Sequence, residues 1–209
     1  MRSKIDQAVV RPVQYWFDDG LTEIIIGAYF VLIAVLCIAE YSTPRGSALK
    51  TLAGLASVLV VVGGAWIASR VLRVLKVRFV FPRTGYVKYH RPQRSKQRRW
   101  VSSMVGAIIS VTLGIAMTTL RPPTFSLPPV VEGLALALAM TYIAHFTGLY
   151  RFYALAVVSI VLGLVIAFST PESLVGISYY FGAMGLTLLL LGLVFFVTYL
   201  RSSQAGEIQ

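Results

Sequence analysis

Hydrophobic and polar positions change along this chain on the scale of whole helices, with long apolar stretches separated by short polar breaks. Six stretches are long enough to cross the hydrocarbon core of a bilayer, which takes ~20 apolar residues in a helix. Helices are expected because a backbone in lipid must satisfy its own hydrogen bonds. The predicted spans are Leu21–Glu40, Ala48–Ser69, Trp100–Leu120, Val130–Leu149, Phe152–Ser169 and Leu174–Leu200.

The pattern changes period between the second and third spans. From Arg78 to Tyr89, aromatic and β-branched residues lie on both sides of the turn-forming stretch Pro82–Gly85. We therefore predict a small β-hairpin in the loop between helices 2 and 3 of an all-α, six-helix membrane bundle. The resulting regions are an interfacial segment (1–20), the first two spans (21–69), a basic loop (70–99), the last four spans (100–200) and a tail (201–209).

Composition supports a membrane protein, since 57% of the residues are apolar and only 13% are charged. About a quarter of the residues in soluble domains are charged. The net charge of +11 favours an acidic partner, and in a chain this apolar we expect anionic lipid headgroups and no nucleic acid. A membrane or cytoplasmic protein partner is the other candidate. The single cysteine, Cys37, excludes an intrachain disulfide.

The loop between the second and third spans carries eleven of the nineteen basic residues and no Asp or Glu. Basic loops stay on the cytoplasmic side of a membrane. We therefore expect a multi-pass membrane protein with both termini in the cytoplasm. The loop is also the predicted lipid- or partner-binding surface, and its basic residues are Arg70, Arg73, Lys76, Arg78, Arg83, Lys88, Arg91, Arg94, Lys96, Arg98 and Arg99.

Two short motifs carry a resemblance. Tyr15–Glu23 contains DGLTE just before and within the first span, and Phe81–Val87 contains PRTGYV in the basic loop. Together they resemble a group of small uncharacterised bacterial polytopic membrane proteins. The resemblance implies a bacterial inner-membrane protein and no particular activity.

A cluster of carboxylates begins the first span, formed by Asp18, Asp19 and Glu23. One interpretation is structural, because carboxylates stabilise a helix N-terminus and can pair with loop arginines. The functional interpretation is a cation or substrate site, or a docking point for the basic hairpin. His145 lies at a similar depth in the fourth span, where it could relay protons or bond to Thr141. We therefore hypothesise that Glu23 and His145 face each other.

Other polar and small residues favour structural roles. Glu40 and Glu132 lie near the opposite ends of their spans, where we expect them to reach water. Ser178 and Gly182 form a ridge of small residues, as do Gly106, Ser110 and Gly114, and such ridges allow close helix packing or a homodimer.

The sequence contains no familiar catalytic motif, metal-binding motif or nucleotide loop. We expect no cofactor and no metal. The favoured function is a non-enzymatic accessory, scaffold or regulatory membrane subunit. The alternative is a small transporter or channel whose cytoplasmic polar site contains Asp19, Glu23 and His145.

Overall fold

The computed structural model describes residue 17 and residues 19–44, 46–80 and 125–205. These residues form five α-helices and one π-helical turn. The helices are α1 (Leu21–Ser42), α2 (Ala48–Leu75), α3 (Leu127–Thr147), α4 (Tyr150–Ser169) and α5 (Ser173–Ala205), and the π-helical turn Lys76–Val80 follows α2 directly.

Four of these helices, α1, α3, α4 and α5, are long and apolar enough to cross a membrane. A fifth span is obtained only if the two straight segments of α2, Ala48–Val61 and Trp66–Arg78, count as one, and they meet at an angle of 53°. The prediction of six spans is therefore wrong for the described part of the chain. The predicted third span, Trp100–Leu120, lies outside the described residues. What stands is a multi-pass helical membrane protein.

The predicted β-hairpin is also wrong, because the part of the chain that the structure describes contains no strand. Its first residues, Arg78 to Val80, belong to the π-helical turn, and residues 81–89 lie outside the described segments. The backbone N–H of Lys76 donates to the carbonyls of Leu72 and Arg73, so the helix continues without a break. Continuous helical hydrogen bonding thus outweighs the local β-preference of the aromatic and β-branched residues.

Two antiparallel helices, α1 and α5, form the most extensive contact of the bundle. Glycines spaced seven residues apart bring their backbones together, with Gly20 against Gly192 and Gly27 against Gly185. A Cβ at position 27 would lie 2.7 Å from the Gly185 carbonyl oxygen, closer than real Cβ atoms come. Gly20 has a further requirement, because its φ of 70° is strained for other residues. The seam therefore depends on glycine.

A second antiparallel pair, α3 and α4, packs in the same way through Gly133 and Gly163. Helix α3 begins three residues earlier than predicted because prolines fit the first turn of a helix, and Pro128 and Pro129 occupy it. The core lies where this pair meets α5. Its buried side chains are Ala137, Met140, Ala144, Phe152, Leu155, Ala156, Met184 and Leu188.

Helix α2 lies at the periphery and packs against α1. The Tyr29 hydroxyl of α1 donates to the carbonyl oxygens of Val60 and Val61, at 3.2 and 3.0 Å, where the two straight segments of α2 meet. The Tyr29 ring lies against Gly64, where a Cβ would come within 2.5 Å of it. The single hydroxyl proton of Tyr29 is therefore shared between two carbonyl oxygens at the bend, where a helix that kinks near glycine pairs needs a donor.

The small residues of α5 are used within the chain. A Cβ at Gly182 would lie 3.6 Å from the Ala34 Cβ of α1, and Ser178 is fully buried. Gly182 of the ridge predicted from the sequence therefore packs against the chain's own first helix. The contacts also define two ends of the bundle: at the Asp19 end, α1 and α4 begin and α2 and α3 end, and the Glu40 end lies opposite.

Candidate functional site

Asp19 and Lys76 form a buried ion pair at the Asp19 end. The Lys76 Nζ lies 2.7 Å from Asp19 Oδ2, and the two side chains are only 1% and 2% exposed. The other oxygen of the carboxylate, Oδ1, accepts a hydrogen bond from the Leu21 backbone N–H at 3.1 Å. One carboxylate thus caps the first turn of α1 and ties it to the π-helical turn after α2.

A second ion pair lies beside the first. Arg151, in the first turn of α4, places its Nη2 2.9 Å from Glu23 Oε1. The same nitrogen donates to the Phe17 carbonyl oxygen. The guanidinium carbon lies 4.4 Å from the Phe195 ring centre and 5.2 Å from that of Phe152, which are cation–π distances. We call Asp19, Glu23, Lys76 and Arg151 the charge cluster.

The charge cluster is neutral, with two carboxylates and two cations, and it joins α1, α2 and α4. Such pairs are costly to desolvate, and breaking one leaves a buried charge without compensation. Glu23 and Arg151 form an ion pair, and among the described residues neither buried oxygen of Glu23 has a well-aligned hydrogen-bond donor. Thr22 Oγ1 and Arg151 Nε are likewise buried and unpartnered. Water is the usual partner of such buried polar atoms.

The structure does not bring His145 to Glu23. His145 is exposed, whereas its neighbours Ala144 and Thr147 are buried, so it lies on the outer face of α3. Arg151 takes the place that the hypothesis gave to His145. The sequence contained a usable signal, because Arg151 lies in the first turn of its helix, at the depth where Glu23 lies in the first turn of α1.

The basic loop residues separate into one buried cation and several exposed ones. Lys76 is in the charge cluster, whereas Arg70, Arg73 and Arg78 are exposed. The Arg70 guanidinium carbon lies 4.7 Å from the Trp66 ring centre. Other predicted residues lie outside the described segments, namely Asp18, Arg83, Lys88, Arg91, Arg94, Lys96, Arg98 and Arg99.

The two carboxylates near the Glu40 end are both half-buried. Glu40 accepts a hydrogen bond from the Ser57 hydroxyl of α2 at 2.9 Å, which links α1 to α2 at this end. Glu132 has one carboxylate oxygen that is buried without a partner. Among the described residues, no group of three or more His, Cys, Asp or Glu side chains is arranged to hold a metal ion.

Comparisons with protein families, curated proteins and solved structures find no match to this chain. The charge cluster is therefore interpreted from its geometry alone. Its four charges form two ion pairs that are largely buried. We therefore interpret the cluster as a structural contact that holds helix ends together.

Proposed function

We propose that this chain is a non-enzymatic accessory, scaffold or regulatory subunit of a bacterial inner membrane, and that it presents the basic loop 70–99 to an acidic partner. The observation that supports this is the burial of Lys76 against Asp19. Lys76 belongs to the basic loop, so the ion pair holds the beginning of the loop at a defined place on the bundle. A rigid attachment point is what a docking surface needs, because it reduces the entropy lost on binding.

The proposal includes an orientation in which the Asp19 end faces the cytoplasm. It is supported by charge. Every described Lys and Arg residue except Lys50 lies in, or directly after, the half of its helix that is nearer this end. Lys and Arg accumulate on the cytoplasmic side. Reporter fusions at Glu172, between α4 and α5, should report the external side, and fusions at Ser95 and Gln209 the cytoplasm. A cytoplasmic signal at Glu172 would reverse the orientation.

The proposed partner of the basic loop is the anionic lipid headgroup. Each basic residue near the membrane surface contributes about 1 kcal/mol to attraction by anionic lipid, so three substitutions should weaken binding by about 100-fold. The test is native mass spectrometry of the full chain with added phosphatidylglycerol or phosphatidylcholine. The loop variant Arg94→Gln, Lys96→Gln, Arg98→Gln should retain much less phosphatidylglycerol than the wild type.

The matched control neutralises three basic residues outside the loop, Arg45→Gln, Lys50→Gln and Arg121→Gln. It should retain phosphatidylglycerol nearly as well as the wild type, because isolated charges attract less lipid than a cluster. Equal retention of both lipids by the wild type, or equal losses in the two variants, would remove headgroups as the partner of the loop.

A transporter or channel with a polar site at the Asp19 end has less support. Asp19 and Glu23 are each held by a cation within 3 Å, at 2.7 and 2.9 Å, and His145 lies on the outer face of α3. A carboxylate that already has a buried cationic partner must lose it before it can bind a substrate cation, which is costly.

A further inference from the structure

Glu132 lies in the second turn of α3, near the Glu40 end, and is half-buried. Its Oε2 atom is buried and has no hydrogen-bond partner among the residues that the structure describes. The two ion pairs found among the described residues both lie at the Asp19 end, and neither includes Glu132. An ionised carboxylate without a cation or a hydrogen-bond donor is strongly disfavoured in apolar surroundings.

The groups around Glu132 come from three helices. Tyr180 of α5 and Cys37 of α1 lie within electrostatic range of its carboxyl group, and Glu40 of α1 lies within range of Cys37. Helix α4 contributes the Ser159 hydroxyl, which is uncharged. None of these groups carries a positive charge, so nothing among them compensates a negative charge on Glu132.

The hydroxyl groups in this region are already engaged with each other. The Ser159 hydroxyl donates to the Gly133 carbonyl oxygen at 2.8 Å and shares a hydrogen bond with the Tyr180 hydroxyl at 2.7 Å, and the Tyr180 hydroxyl also lies 3.5 Å from the backbone carbonyl oxygen of Glu132. Neither proton is then available to a Glu132 carboxylate. A protonated Glu132 carries its own donor and needs none from its neighbours.

We propose that Glu132 is a proton-binding site, a carboxyl group that holds a proton while α1, α3, α4 and α5 are packed as described. Loss of the proton places an uncompensated negative charge next to Tyr180 and Cys37, and it therefore favours opening of the Glu40 end. This property goes beyond the proposed scaffold function, because it makes the packing of the bundle respond to protons.

The first test is chemical modification of the full chain in neutral detergent with dicyclohexylcarbodiimide, an apolar reagent that attacks protonated carboxyl groups. The carboxyl O–H adds across one C=N bond, so that the oxygen bonds to the central carbon and the proton moves to nitrogen. Migration of the acyl group from oxygen to nitrogen then leaves a stable N-acylurea, with no atom lost. Peptide mapping by mass spectrometry locates the adduct.

The adduct should map to Glu132, and its yield should fall as the pH is raised from mildly acidic to alkaline. It should be lost in Glu132→Gln and kept in Glu40→Gln, the matched control at the same end of the bundle. Absence of an adduct at Glu132 at every pH, or preferential labelling of Glu40, would overturn the proposal. The wild-type map decides this even if a variant fails to fold.

The second test follows thermal stability against pH. The packed chain binds a proton that the unfolded chain releases, so the stability of the wild type should fall as the pH rises. Glu132→Gln imitates the neutral acid and should remove this component of the pH dependence. Parallel pH profiles for the wild type and Glu132→Gln would overturn the proposal.

Discussion

Neutralising Asp19 while keeping its shape tests the charge cluster most directly. In Asp19→Asn the side-chain oxygen can still accept from the Leu21 N–H, at 3.1 Å in the wild type, so the cap is retained and only the charge is removed. Lys76→Met is the complementary change, because it keeps the apolar stem and removes the ammonium group. The double variant removes both charges together.

The magnitude follows from the distance and the burial. At 2.7 Å, two unit charges attract each other by ~6 kcal/mol with an effective dielectric constant of ~20. Desolvation of both groups offsets much of this attraction. Each single variant leaves the other charge buried and uncompensated, so we expect each to lower the free energy of unfolding by about 3–5 kcal/mol. The double variant should lose less than either single variant.

The assay is unfolding of the full chain by titration with dodecyl sulfate from a mild detergent, followed by circular dichroism. Arg73→Met is the matched control, since Arg73 is exposed about one turn before Lys76. A substitution at such a position should change the free energy of unfolding by no more than ~0.5 kcal/mol. Additive losses in the double variant would refute a buried, mutually compensating pair.

Three further variants and one control variant test other parts of the bundle in the same unfolding assay. Gly27→Ala should destabilise by about 1–3 kcal/mol through overpacking, while Gly63→Ala, which has nothing within 4 Å of the added Cβ, should be far milder; equal losses would contradict the close seam. Tyr29→Phe should cost about 1 kcal/mol by removing the donor to α2, and an unchanged midpoint would show that the bend does not need it. Arg151→Lys should destabilise despite its unchanged charge, because ammonium does not stack on aromatic rings as guanidinium does; full stability would leave the aromatic contacts without importance.

The local parts of the fold followed from the order of residues. Runs such as 21–40 and 152–169 predicted helices because a lipid-embedded backbone has few alternatives, and the structure has helices there. The hairpin prediction failed because it relied on the local β-preference of residues such as Phe79 and Val80. In the structure these two residues belong to the helical turn that begins at Lys76, and the Lys76 side chain pairs with Asp19. Secondary structure at such a junction depends on a contact with Asp19, 57 residues away.

The partners of the charged residues were not readable from the chain. The sequence placed Asp19 and Glu23 at the start of the first span, but several cations at similar depth could have paired with them. In the folded bundle, the start of α4 places Arg151 next to Glu23, whereas His145 lies on the outer face of α3. Depth in a membrane follows from position along a helix, whereas the direction of a side chain around the helix follows from packing.

Glu132 shows the same division. Its place near a helix end predicted contact with water, and this was reasonable because a carboxylate is least costly there. The tertiary structure buried one of its oxygens and brought its carboxyl group within electrostatic range of Tyr180 and Cys37. Apolar length and charge along the sequence thus determined that this chain is a multi-pass helical membrane protein. Which polar groups are buried together was decided by the tertiary structure, in which glycines allow helices to pack closely. The reason is that burial depends on neighbours that are distant in sequence.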